Sequence, residues 1–227
     1  MNNIDLVNEL KAIFNENLVS VLTYGEDSHI IAIFGKLEAS DLKKAFPAIK
    51  KWKKTKKLLP VVMSEDEWCS SADIYPIEYT IIKNSYETLY GKDIVSCLNV
   101  KKPDLRLKCE YEIKNILVRI RELYLGNSDN PKFIIKILEE NFENLMRILK
   151  AVLCLFDMPV TGSNEEIIRQ LAEKTDFDGE VFVEILSAKA SNKKFSSDEI
   201  EGIIQRAINA INTLYGFIDK LPCHSED

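Results

Sequence analysis

Two places in this 227-residue chain bring together side chains able to hold a metal ion or move a proton. The first is Tyr24-Gly25-Glu26-Asp27-Ser28-His29, a polar cluster between two apolar runs. The second is Glu78, in the segment Pro76-Ile77-Glu78-Tyr79-Thr80-Ile81-Ile82. Two carboxylates two residues apart on a strand project from one face and can share a divalent cation. The spacing here offers no such pair: the strand after the turn carries His29 and Ile31. Imidazole is a poor ligand for a hard ion such as magnesium, and isoleucine offers no donor. The plain reading of Glu26-Asp27-Ser28 is a polar hairpin turn, and of Glu78 an outward side chain on a strand.

A third feature is the lysine run Lys43, Lys44, Lys50, Lys51, Lys53, Lys54, Lys56 and Lys57. Such a run suits phosphate or RNA. Only Phe46 and Trp52 are interleaved as stacking residues, so the pattern favours a solvated helix face. The chain has 36 acidic against 30 basic residues, a net charge of −6, which argues against a general nucleic-acid partner. The five cysteines (Cys69, Cys97, Cys109, Cys154, Cys223) form no C-x-x-C and have no histidine partners. That disfavours zinc and fits reduced thiols in a cytoplasmic protein. With only His29 and His224, no Ser-His-Asp triad is available. Neither glycine-rich phosphate motif occurs, no apolar run approaches a membrane span, and the N-terminus has no signal-peptide pattern.

The elements that must position these residues fall into two halves, 1–100 and 101–227. In the first, Leu6, Leu10, Ile13 and Phe14 mark an amphipathic helix. Leu18–Tyr24 and His29–Phe34 read as buried strands, and Ser40-Asp41 opens a helix containing Leu42, Phe46, Ile49 and Trp52. Leu59–Met63 is a third strand, Ser64–Glu67 a capping box, and Pro76–Ile82 a fourth strand. From Pro103 onward the periodicity is helical: a long helix ending at Gly126, one from Pro131 to Phe156, one opened at Ser163, a short one at Val181–Leu186, and a last one opened at Ser197-Asp198. The fold class is therefore α+β: a mixed sheet with flanking helices, then an antiparallel helical bundle.

The strand ending in Tyr24-Gly25, the turn and the following strand resemble the start of the nucleotidyltransferase (DNA polymerase β-like) superfamily. The small bacterial members carry a C-terminal helical bundle. The stretches Tyr75–Gly91 and Asp104–Leu125 resemble one subgroup of these proteins. In the family the glycine is followed by serine, and the next strand carries carboxylate-x-carboxylate. A third carboxylate on a later strand completes a two-magnesium site. The resemblance places Gly25, Glu26, His29 and Ile31 at the motif positions and Glu78 at the third carboxylate. It implies a degenerate protein that lacks nucleotidyl transfer and acts by binding. Its ligand would be a small molecule or nucleotide in an interdomain cleft, with Arg106 and Lys108 as binding residues, or its partner a protein, including a second copy. No cofactor is then implied. The alternative is an active enzyme transferring NMP from an NTP to a small molecule or protein. Magnesium would then bind a relocated site built from Glu26, Asp27 and Glu78. The bundle also resembles the HEPN ribonucleases, whose arginine–histidine signature this chain lacks.

Overall fold

The computed structural model describes residues 1–25, 28–55, 58–191 and 195–222. The chain divides into two compact units, Met1–Val100 and Lys101–Asp227. The fold is α+β.

The first unit is built on a sheet of order β3-β2-β1-β4. It starts with α1 (Asn3–Phe14), whose N-terminus is closed by a reciprocal capping box between Asn2 and Asp5. A 3-10 turn, Asn15–Asn17, leads into β1 (Leu18–Tyr24), which forms an antiparallel hairpin with β2 (His29–Phe34). Apolar side chains dominate both strands because both sheet faces are covered. Helix α2 (Ala39–Lys53) crosses over to β3 (Val61–Ser64), which runs parallel to β2. Its cap is Glu38, which makes a capping box with Asp41, two residues earlier than the Ser40 opening expected from sequence. Pro47 lies inside this helix.

Ser64 caps α3 (Glu65–Ser70) through the expected box with Glu67. The segment 76–82 is not a strand. It is the helix α4 (Pro76–Asn84), with Pro76 in its first turn, where a missing N–H costs nothing. The fourth strand is instead β4 (Tyr86–Gly91), antiparallel to β1. Gly91 ends it at φ +79°, and a Cβ there would lie 2.0 Å from the Val19 carbonyl oxygen, so only glycine fits.

The two faces of the sheet have separate cores. On one, Leu18, Val21, Ile30, Ala32 and Phe34 pack with Leu6, Leu10 and Phe14 of α1 and Ala45, Ala48 and Trp52 of α2. On the other, Leu22, Ile31 and Ile33 pack with Trp68 of α3, Tyr79 and Ile82 of α4, and the turn carrying Ile94, Val95 and Leu98. A register shift in β1 between Leu18 and Ser20 lets Val19 and Leu22 share that second face.

The second unit consists, among the described residues, of α5 (Lys102–Asn127), α6 (Pro131–Glu140), α7 (Phe142–Leu155), α8 (Asn164–Thr175), α9 (Glu180–Ser191) and α10 (Ser197–Asp219). Helix α5 packs against α6, α7 and α10. Its core face is Leu105, Cys109, Ile113, Leu117 and Ile120. Ser163 and Ser196 cap α8 and α10 by reciprocal boxes with Glu166 and Glu199. The single helix expected over 131–156 is two helices that meet at Asn141, whose side-chain amide donates to the Ile137 carbonyl (2.8 Å) and closes the first.

Candidate functional site

At the hairpin tip, Gly25 adopts φ +70° and Ser28 φ +51°. The Ser28 N–H donates to the Gly25 carbonyl (3.2 Å), and the Gly25 N–H donates to Ser85 (3.3 Å). Glu26 and Asp27 lie outside the described residues. Tyr24 and His29 are register partners, and their rings stack at 5.2 Å with an interplanar angle of 27°. The imidazole thus packs on an aromatic ring of the neighbouring strand at the open end of the sheet.

Ile31 follows on the same face of β2, between Leu22 of β1 and Val61 of β3. It is 2 % exposed and belongs to the core with Trp68, Tyr79 and Ile82. Helices α3 and α4 carry the side chains that fill this face. The polar atoms there serve the packing: the Trp68 indole N–H donates to the Ile94 carbonyl (3.0 Å), and the Tyr79 hydroxyl donates to the Trp68 carbonyl (2.9 Å). Burial pushes the Tyr79 hydroxyl pKa well above its ordinary value.

Glu78 sits in the first turn of α4, not on a strand. A carboxylate there is favoured by the positive end of the helix dipole. The magnesium pair that the family resemblance implies therefore does not fit these residues. The second paired position is an apolar core residue, and the later-strand carboxylate is on a helix. Among the described residues no three His, Cys, Asp or Glu side chains cluster as metal ligands.

The other charged candidates are tied into structure. Arg106 is buried. Its Nη1 binds the Glu110 carboxylate at 2.8 Å and donates to the Ile218 carbonyl at 3.1 Å, closing the C-terminal end of α10. Lys108 pairs with Glu112 (2.9 Å) and lies 5.3 Å from the Tyr111 ring centroid. In the lysine run, Lys44 pairs with Asp41 and Lys51 with Glu9, both at 2.8 Å. The Trp52 ring is buried, its N–H given to the Leu58 carbonyl, so it offers no stacking platform. Lys56, Lys57, Cys223 and His224 lie outside the described residues.

Two features escaped the sequence reading. One is a groove of about 390 Å³ in the helical unit. Ile116, Leu123, Leu138 and Phe182 give it apolar walls, and Arg119, Asn115 and Asn144 supply polar groups. Neither Arg106 nor Lys108 lines it. The other is a stripe of exposed apolar side chains on α5: Leu107 (61 %), Tyr111 (59 %), Val118 (42 %) and Leu125 (86 %). Separations of four, seven and seven residues keep them within about 40° of one another around the helix. This spacing was visible in the sequence but was obscured by the stronger core pattern on the opposite face. No described helix is long and apolar enough to cross a membrane. No protein-family model matches the chain, and no curated protein matches it at a significant level.

Proposed function

We propose that this protein is a nucleotidyltransferase-like scaffold that has lost metal-dependent nucleotidyl transfer and acts by binding. The observation that carries this reading is Ile31. The position where the resemblance requires a metal-holding carboxylate is an isoleucine, 2 % exposed, packed among Trp68, Tyr79 and Ile82. Supporting it are the Tyr24–His29 stack at the other motif position and the placement of Glu78 on α4. A hairpin with a glycine at its tip and a helical unit after the sheet are compatible with the reading.

Binding falls to the helical unit. Its groove has the apolar walls and few polar groups that suit a small amphipathic ligand. The α5 stripe suits a second copy of the chain, because a two-fold axis level with Ile116 exchanges its two ends, Leu107 and Leu125. An antiparallel pairing sets Leu107 against Leu125 of the second copy and Tyr111 beside Arg121, a cation–π partner. Titration calorimetry with ATP, GTP, CTP and UTP plus magnesium tests the main claim. The expected result is no magnesium-dependent binding, and tight binding of any of the four overturns the reading. Light scattering after size exclusion tests the pairing: a dimer is expected, and a strict monomer rules the α5 partner out.

A further inference from the structure

Cys69, near the end of α3, and Cys97, in the turn after β4, are 28 residues apart in sequence, yet their sulfurs lie 3.9 Å apart. Both residues are exposed, so reagents can reach them. The Cys97 thiol also donates to the Ile94 carbonyl (3.1 Å), and the Lys92–Glu65 ion pair lies beside Cys69. By contrast Cys109 is buried. The turn that carries Cys97 also supplies Ile94, Val95 and Leu98 to the core over Ile31.

We infer that Cys69 and Cys97 form a thiol–disulfide exchange site for small-molecule disulfides of the glutathione type, and that its oxidation clamps the 94–98 turn onto α3. One cysteine thiolate attacks a sulfur of the small disulfide, the S–S bond breaks, and one small thiolate leaves. The second cysteine thiolate then attacks the protein-bound sulfur of the mixed disulfide and expels the second small thiolate. Two protein thiols are oxidised to one disulfide, one small disulfide is reduced to two thiols, and the two protons end on those thiols. Partial desolvation, with Cys97 beside it, raises the Cys69 thiol pKa, which lowers its thiolate fraction and slows its attack on the small disulfide. A thiol of high pKa is a poor leaving group, which favours persistence of the disulfide once formed.

The experiment incubates the full chain with oxidised glutathione and maps the peptides without reduction. The expected product joins the Cys69 and Cys97 peptides, lacks two hydrogens, and reverts with dithiothreitol. Cys69→Ser and Cys97→Ser should each hold a glutathione on the remaining thiol instead. Glutathione on both cysteines of the unsubstituted chain, a bridge to any other cysteine, or no reaction overturns the proposal. The clamp is read separately, as a rise of several degrees in the melting temperature of the first unit on oxidation, lost in Cys97→Ser. No rise in the bridged protein overturns that part.

Discussion

Replacing Ile31 with aspartate puts a carboxylate where the family resemblance calls for one, and so separates a vestigial metal face from a packed core. Ile31 is 2 % exposed in a cluster that includes Leu22, Ile33, Trp68, Tyr79 and Ile82. Losing its apolar burial costs about 1.5–3 kcal/mol. The new carboxyl adds about 1–3 kcal/mol if it enters protonated but unsatisfied, and several kcal/mol if ionised. The sum is about 2.5–6 kcal/mol for the protonated form and more for the ionised one, a large share of the roughly 5–15 kcal/mol that holds a domain folded. Ile31→Val should cost only about 0.5–1.5 kcal/mol. Trp52 and Trp68 are both buried and both in the first unit, so tryptophan fluorescence during urea unfolding reports that unit alone. The pH dependence gives a second reading. An aspartate held protonated by burial has its folded pKa above the unfolded value of about 3.9. Its protonated form is present in both states below that value, and the deficit grows as pH rises through the window above it. The variant should therefore lose ground to the unsubstituted protein between about pH 4 and 7. A loss under about 1.5 kcal/mol, or recovery of stability on adding magnesium, refutes the packed-core reasoning.

Other perturbations probe separate parts of the account. Gly91→Ala combines a positive φ with a clash against the Val19 carbonyl and should cost about 2–4 kcal/mol, read by the same fluorescence unfolding. Arg106→Ala removes a buried ion pair and the closure of α10 and should cost about 2–4 kcal/mol in helix melting followed by circular dichroism, whereas Lys108→Ala should stay within about 0.5 kcal/mol. If Lys108→Ala proves the more damaging, the structural assignment of Arg106 fails. Glu67 and Glu166 have lowered pKa values because their carboxylates accept from the Ser64 and Ser163 caps. Their stabilising contribution is present above the ordinary carboxylate range and lost as pH falls through the lowered values. Glu166→Gln, which removes the titrating carboxylate that accepts from the Ser163 N–H (2.6 Å), should therefore flatten the acid limb of the helical unit's stability against pH, and an unchanged limb rejects that role.

The halves of the chain differ in how legible they were, and the reasons are local. Capping boxes at Ser64 and Ser163 were readable because a hydroxyl and a glutamate three residues on satisfy each other through local backbone. Pro76–Ile82 misled because seven residues with Ile77, Tyr79 and Ile81 alternate like a strand, while Pro76, Tyr79 and Ile82 also repeat at three. The helix wins because Trp68 and the sheet bury Tyr79 and Ile82 of that second set. Strand β4 went unseen because none of its residues is fully buried, so its pairing with β1 and the fit at Gly91 decide it rather than its composition. The break at Asn141 lacks glycine or proline and depends on a side-chain bond to Ile137. In the candidate site, the substitution of Ile31 for a carboxylate was evident from sequence, but its burial under α3 and α4 was not. Arg106 looked like a surface cation because its carbonyl partner, Ile218, is 112 residues away.

The central claim is that the β2 face cannot hold divalent ions. Its most direct test is electron paramagnetic resonance of manganese titrated into the full chain, with and without ATP. The account predicts that the manganese signal is the same with and without protein, apart from the complex manganese makes with ATP itself. A stoichiometric protein-bound manganese, lost in Glu78→Gln, would contradict it.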